Sequence, residues 1–217
     1  MREYFDNELN ELNNELLKMA CHAKEIVTIA SSCIGKRDDE VIKKVKPLYE
    51  KIDKEERIIE SSCMKLLLLQ QPVASDLRQI SSILKMITDL QRIGDQAENI
   101  AEILNITNNT VVSENKYVQA MSKYTLQMLN DSVDSFVNKN LDEATAVIKQ
   151  DDEVDKCFFD VKNNLIEIIH ENKNDGEFII DILMCAKYFE KIGDHCVNIA
   201  KWSIYYQTGE HIAWVLL

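Results

Sequence analysis

Three side chains in the last third of the chain could bind a cation. Glu190, Asp194 and Asn198 are four residues apart, so on a helix they form one polar row that drifts by about 40° at each step. Two ionised carboxylates at this spacing repel each other. If helix stability alone had selected these residues, Glu would more often be paired with Lys at this spacing. Carboxylate oxygens are the ligands that hard cations, Mn²⁺ and iron prefer. The row therefore indicates either a metal site or a solvated helix face.

Further carboxylates lie on the helix that precedes this row. Asp155 follows Val154, and Asp152 shares its face at the i, i+3 spacing. In the first half of the chain Asp53 follows Ile52 in the same way. Because antiparallel neighbouring helices bring such groups together, Asp152 and Asp155 could supply a cation with further oxygen ligands beside Glu190 and Asp194.

The segment that carries this row occurs twice. QRIGDQAENIAE (91–102) and EKIGDHCVNIAK (190–201) are identical at six of twelve positions and lie 99 residues apart in a chain of 217. Each copy keeps a mid-helix glycine, Gly94 or Gly193, which costs about 1 kcal/mol relative to alanine. We therefore expect the backbone of a neighbouring helix to approach closely at both glycines.

The elements that must position these residues are long helices. Apolar residues recur at intervals of three and four, and only 5 Gly and 2 Pro interrupt the chain. Pro47 predicts a kink in the second helix or a late start, and we take Asn105–Ser113 as the linker between the halves. The predicted fold is all-α, with two antiparallel three-helix bundles, residues 1–107 and 108–217. The six predicted helices cover about 4–33, 39–70, 72–104, 114–137, 141–171 and 176–206.

Charge and composition exclude several classes of protein. The net charge is −12 and the basic residues are spread along the chain, which argues against a nucleic-acid partner. An acidic surface is compatible with cation binding and equally with solubility alone. The six cysteines include no Cys-x-x-Cys pair and are expected to be reduced. No signal peptide or apolar run of about 20 residues is evident, so we expect a cytoplasmic protein.

These motifs together resemble the PhoU family of phosphate-transport regulatory proteins, over most of the chain. In the first half the similarity runs through Ile52-Asp53, LQQPVASDLR (69–78) and DLQRIGD (89–95). In the second half the matching segments are DEVD (152–155), AKYFEKIGDH (186–195), NIA (198–200) and TGE (208–210).

The resemblance implies two three-helix bundles related by a pseudo-twofold, with a multinuclear metal site on each bundle surface. The metal would be iron, Mn, Zn or Mg, and the first-half site would use Asp95, Gln91 and Asp53. The resemblance also implies a regulator that damps phosphate uptake and keeps phosphate-starvation genes off. Its partners would be the phosphate ABC transporter ATPase subunit and the phosphate-sensing histidine kinase. We expect a homodimer that meets the membrane only through partners.

Two features depart from the family pattern. Gln91 stands where the family has Glu, and a neutral amide offers one carbonyl oxygen without charge. We therefore expect an asymmetric protein whose better metal site lies in the second half, with the first-half site weakened or lost. The chain also ends in the apolar tail HIAWVLL (211–217), which either folds back on a bundle or contacts a partner, a second copy or a membrane surface.

Other functions fit the sequence less well. Glu167 and His170 have the Glu-x-x-His spacing of di-metal carboxylate enzymes, but such sites need two copies of it. His195 and Cys196 are adjacent on a helix and would point about 100° apart, which argues against a thiol–imidazole pair. A helical adaptor without metal remains an alternative mechanism with the same partners. No enzymatic activity is expected.

Overall fold

The structure is a computed structural model that describes residues 2–35, 39–69, 72, 74–106, 115–171 and 176–212. Six long helices and one short one account for most of this part of the chain, which contains no strand. The predicted all-α fold with six long helices is confirmed. The helices are α1 (Arg2–Gly35), α2 (Asp39–Ile42), α3 (Val45–Leu69), α4 (Ala74–Ile106), α5 (Lys116–Val137), α6 (Leu141–Glu171) and α7 (Gly176–Thr208).

The second predicted helix begins late instead of bending. The four-residue α2 ends at Ile42, and α3 begins at Val45, so Pro47 lies in the first turn of α3. At that position the missing N–H of proline costs no helical hydrogen bond. The late start is therefore the alternative that the structure supports.

The boundary between the halves is described only in part. α4 ends at Ile106, and the predicted linker lies outside the described residues from position 107 onward. The next helix starts where the Asn115 side chain accepts hydrogen bonds from the backbone N–H groups of Tyr117 and Val118. This is the usual way in which Asn satisfies free amides at a helix N-terminus.

The helices form two three-helix groups. α1, α3 and α4 pack together in the first half, and α5, α6 and α7 pack together in the second. α4 also packs along α7, so the buried side chains of both groups make one continuous core. Most apolar residues that recur at helical spacing are buried there, and Ile93, Phe189 and Ile192 are fully buried.

Polar contacts fix the direction in which α4 and α7 pack. Ser82 Oγ donates to the carbonyl oxygen of Trp202 at 3.2 Å, and Asp89 Oδ1 lies 2.9 Å from His195 Nδ1. Contacts that advance along α4 therefore move back along α7. The two helices are antiparallel, and the duplicated segments lie on this pair.

The last described residues turn back toward the body of the protein. Gly209 has φ +80°, a left-handed conformation that suits glycine at a helix end. His211 then stacks on the Tyr205 ring at 4.1 Å between centroids and meets Trp202 edge-on at 5.5 Å. The start of the tail thus folds back on α7, while residues 213–217 lie outside the described part.

Candidate metal centre

The carboxylates of α7 lie at the edge of its contact with α6. Phe189 and Ile192 are fully buried, and this turns the next positions of the helix toward the rim of the bundle. The Glu190 side chain is only 15% exposed, whereas that of Asp194 is 43% exposed. Glu190 is therefore the deeper of the two predicted ligands.

Asp151 and Asp155 of α6 face this row. Burial, followed by the negative charges of Asp155, Asp194, Glu190 and Asp152 in that order, raises the pKa of Asp151 to about 7. The pKa of Asp155 is raised by burial, and then by Glu190 and Asp194. Such shifts arise when several carboxylates share a poorly solvated region. Three of the residues predicted for the second half, Asp155, Glu190 and Asp194, therefore lie near one another, with Asp151 beside them.

Gly193 makes room for the deepest carboxylate. A Cβ at this position would lie 2.9 Å from Asp151 Oδ1, which is closer than such atoms approach. At Gly94 a Cβ would meet Ile52 Cδ1 at 3.4 Å, an ordinary contact. The expected close approach of a neighbouring backbone is therefore wrong at both glycines, because the atoms nearest to each added Cβ belong to side chains.

Two lysines of α7 form ion pairs with Glu190 and Asp194. Lys187 Nζ lies 2.7 Å from Glu190 Oε1, and Lys191 pairs with Asp194 and lies 3.4 Å from Glu190 Oε2. Glu190 Oε2 is buried and makes no hydrogen bond. Buried carboxylate oxygens normally have a donor, so this atom has capacity for a further ligand.

The side chains as placed do not enclose a cation. In the part of the chain that the structure describes, no three His, Cys, Asp or Glu side chains stand close enough around one point to hold a metal ion. The lysine side chains are 40% and 42% exposed, so both can turn to solvent and release their carboxylates. The donor set fits a hard cation once that happens.

The sequence identified most of this group but missed Asp151. Asp152 and Asp155 are both exposed, but Asp155 has the largest and Asp152 the smallest effect of the four carboxylates on the pKa of Asp151. Asp151 precedes Asp155 by four residues, as Glu190 precedes Asp194, and this parallel was the available signal. The i, i+3 pairing favoured Asp152 instead.

The corresponding residues of the first half form a hydrogen-bonded group. Gln91 Nε2 donates to Asp95 Oδ1 at 2.9 Å and to the Tyr49 hydroxyl at 3.4 Å. The pKa of Tyr49 is raised, first by its hydrogen bond to Asp95 and then by burial. Arg92 pairs with Asp95 at 3.0 Å. Asp53, the third residue predicted here, pairs with Arg57 at 2.7 Å.

Three further polar residues join the halves. Asp89 is 9% exposed and accepts a hydrogen bond from Asn198 Nδ2 at 3.0 Å, beside its contact with His195. Asn198 therefore contributes to the packing of α7 against α4 and is not directed at the acidic side chains of the predicted row. His195 faces Asp89 and not Cys196, whose thiol is buried with a pKa raised by that burial.

The residues of the enzyme alternative lie elsewhere. Glu167 and His170 are both exposed, and His170 lies in the last turn of α6. A positive charge there interacts favourably with the helix C-terminus. No helix in the described part of the chain is long and apolar enough to cross a membrane.

Known proteins share both the sequence and the fold. The PhoU domain matches residues 16–104 and 118–203. The chain is 33% identical over 97% of its length to a Clostridium acetobutylicum protein, of which it also covers 97%, named phosphate-specific transport system accessory protein PhoU homolog.

Two crystal structures superpose closely on this fold. PhoU from Pseudomonas aeruginosa is 28% identical, with a TM-score of 0.87 over 95% of this chain and 100% of that one. The phosphate transport system regulatory protein PhoU from Streptococcus pneumoniae is 26% identical, with a TM-score of 0.88 over 96% and 99%. The chain belongs to the PhoU family.

Proposed function

We propose that this protein is a non-enzymatic regulator of phosphate uptake and of the phosphate-starvation response. The observation that carries the proposal is similarity along the whole chain to a protein named as a phosphate-transport accessory protein, 33% identical over 97% of both chains. It acts in the cytoplasm as an adaptor between the ATPase subunit of the phosphate ABC transporter and the phosphate-sensing histidine kinase. It reaches the membrane only through these partners, and as a homodimer.

The proposed metal site lies between α6 and α7. Asp155, Glu190 and Asp194 would bind iron, Mn, Zn or Mg together with Asp151, and Asp152 would add charge at the rim. The raised pKa of Asp151 supports this assignment, and so does the buried Glu190 Oε2, which makes no hydrogen bond and lies 3.4 Å from Lys191 Nζ. A nearby positive charge would favour the ionised form of Asp151 and could occupy this oxygen. A bound cation would supply that charge and tie α6 to α7.

The regulatory role is tested by deletion and complementation in the host organism. Without the protein, phosphate-starvation genes should stay active in high phosphate, and the wild-type chain should restore repression. Asp194→Ala should fail to restore it if metal is needed for signalling. Glu153→Ala is the matched control, since Glu153 is an exposed carboxylate of α6 outside the proposed site. Normal repression in the deletion strain would refute the function.

The metal is tested separately by elemental analysis of protein purified without chelator and supplied with Mn²⁺ or iron. Wild-type protein and Glu153→Ala should retain metal through desalting, and Asp194→Ala should lose most of it. Wild-type protein that retains none, while still restoring repression, would favour the adaptor without metal. In that case Glu190 and Asp194 would remain ion-paired with Lys187 and Lys191 in the functional protein.

A further inference from the structure

The two halves place different side chains at equivalent positions. The duplicated segments align Gly94 with Gly193 and Gln91 with Glu190. The pairs Ile52-Asp53 and Val154-Asp155 align the preceding helices, and the same register sets Tyr49 against Asp151. The structure supports this register, since a Cβ on Gly94 would meet Tyr49 and one on Gly193 would meet Asp151.

Two of the four carboxylates are thus replaced by neutral groups in the first half. Tyr49 takes the position of Asp151, and Gln91 takes that of Glu190. Sequence comparison of the duplicated segments shows only the second replacement, because Tyr49 lies outside them. A cation site loses affinity steeply when charged ligands are lost.

The carboxylates that remain are already neutralised. Asp53 pairs with Arg57 and Asp95 with Arg92, at 2.7 and 3.0 Å. Gln91 and Tyr49 both direct donors at Asp95. In the second half Lys187 and Lys191 likewise pair with Glu190 and Asp194, but Glu190 there keeps a buried oxygen without a hydrogen bond.

We propose that the first-half face, formed by Tyr49, Asp53, Gln91 and Asp95, does not bind metal. Hydrogen bonds and ion pairs take the place there of a bound cation. The Tyr49 hydroxyl, the Gln91 amide and two arginines satisfy Asp95 and Asp53, as a cation would do in the second half. This face is held together by hydrogen bonds whether metal is present or not. The claim that the second half binds metal rests on the proposed function. The claim that the first half does not need metal is independent of it.

Metal content in single-site backgrounds tests this proposal. Each protein is incubated with Mn²⁺, desalted and analysed for metal per chain. Asp95→Ala should keep the wild-type content, and Asp194→Ala should bind essentially none. The triple variant Tyr49→Asp, Gln91→Glu, Asp194→Ala should regain metal, because it restores the four-carboxylate pattern in the first half alone.

The outcomes separate the two proposals. Metal that persists in Asp194→Ala and disappears on adding Asp95→Ala would overturn the metal independence of the first half. A folded triple variant that binds no Mn²⁺ would overturn the claim that these two substitutions removed the site. Absence of metal from the wild-type protein would count against the second-half site only.

A measurement on a milder variant covers the case in which the triple variant does not fold. Tyr49→Phe removes only the hydroxyl that donates to Asp95 and should lower the melting temperature by about 2–4 °C. The shift should be equal with Mn²⁺ and with chelator. A shift seen only with Mn²⁺ would mean that Tyr49 acts through a bound metal, and the proposal would fail.

Discussion

Asp151 is the carboxylate whose burial opposes its ionisation, although its proposed role as a metal ligand requires the ionised form. Its pKa of about 7 means that the folded metal-free protein holds a proton there at pH values where the unfolded chain has lost it. The folded state therefore binds more protons between about pH 4 and 7. This contribution to stability is present in acid and is lost as pH rises through 7.

We predict that Asp151→Asn stabilises the metal-free protein at pH 8. Because the group is partly exposed and solvent screens it, the gain should be on the order of 1–2 kcal/mol. Urea unfolding of chelator-treated protein at pH 5 to 8 measures it, and the variant should show a flatter pH dependence than wild type. Asp152→Asn, at the exposed neighbour, is the control. Equal slopes for wild type and Asp151→Asn would contradict the prediction.

At the scale of the helices, the two mid-helix glycines offer a matched comparison. Alanine is favoured over glycine in a helix by about 0.5–1 kcal/mol, and the nearest atom to a Cβ at Gly94 is 3.4 Å away. Gly94→Ala should therefore be neutral or stabilising by thermal melting. Gly193→Ala should displace the Asp151 carboxylate, which lies 2.9 Å from the added atom, and reduce Mn²⁺ binding. Equal metal content in both variants would refute the proposal that Gly193 makes room for the Asp151 carboxylate in the metal site.

Helices were predictable here because periodicity reports burial along one helix. α6 has the predicted bounds, Leu141–Glu171, and the apolar seam of α7 is buried as expected. What one helix presents to another was not predictable from spacing alone. Asp151 and Asp152 differ by about 100° on α6, and only the packing of α7 shows which of them turns inward. Tyr49 was missed because a tyrosine carries no signal of a lost metal ligand until the register of α3 on α4 is known.

At the scale of the whole molecule, the two halves share one core through α4 and α7. Domains with a continuous core usually unfold as one cooperative unit. Beside the hydrogen bond from Ser82 to Trp202, the group of Asp89, His195 and Asn198 makes a polar contact between the halves. Its strength can be measured without touching the acidic faces.

We predict that Asp89→Ala destabilises the protein by about 1–3 kcal/mol, because it leaves His195 and Asn198 without their buried acceptor. Urea unfolding followed by circular dichroism and by tryptophan fluorescence should still give one coincident transition. Glu102→Ala, at an exposed position of α4, should change stability by less than about 0.5 kcal/mol. Two separate transitions in Asp89→Ala would show that the halves are held together mainly by this contact.

The same contact relates the two repeats to each other. In the first half, the positions equivalent to His195 and Asn198 are Gln96 and Asn99, and both can donate a hydrogen bond. A free-standing first half would therefore carry both Asp89 and donors for it, as a self-pairing subunit requires. The second half has Tyr188 in place of Asp89 and supplies donors alone. The antiparallel pair of α4 and α7 thus has the arrangement of a two-fold interface between equivalent helices, in which only the first repeat carries the acceptor.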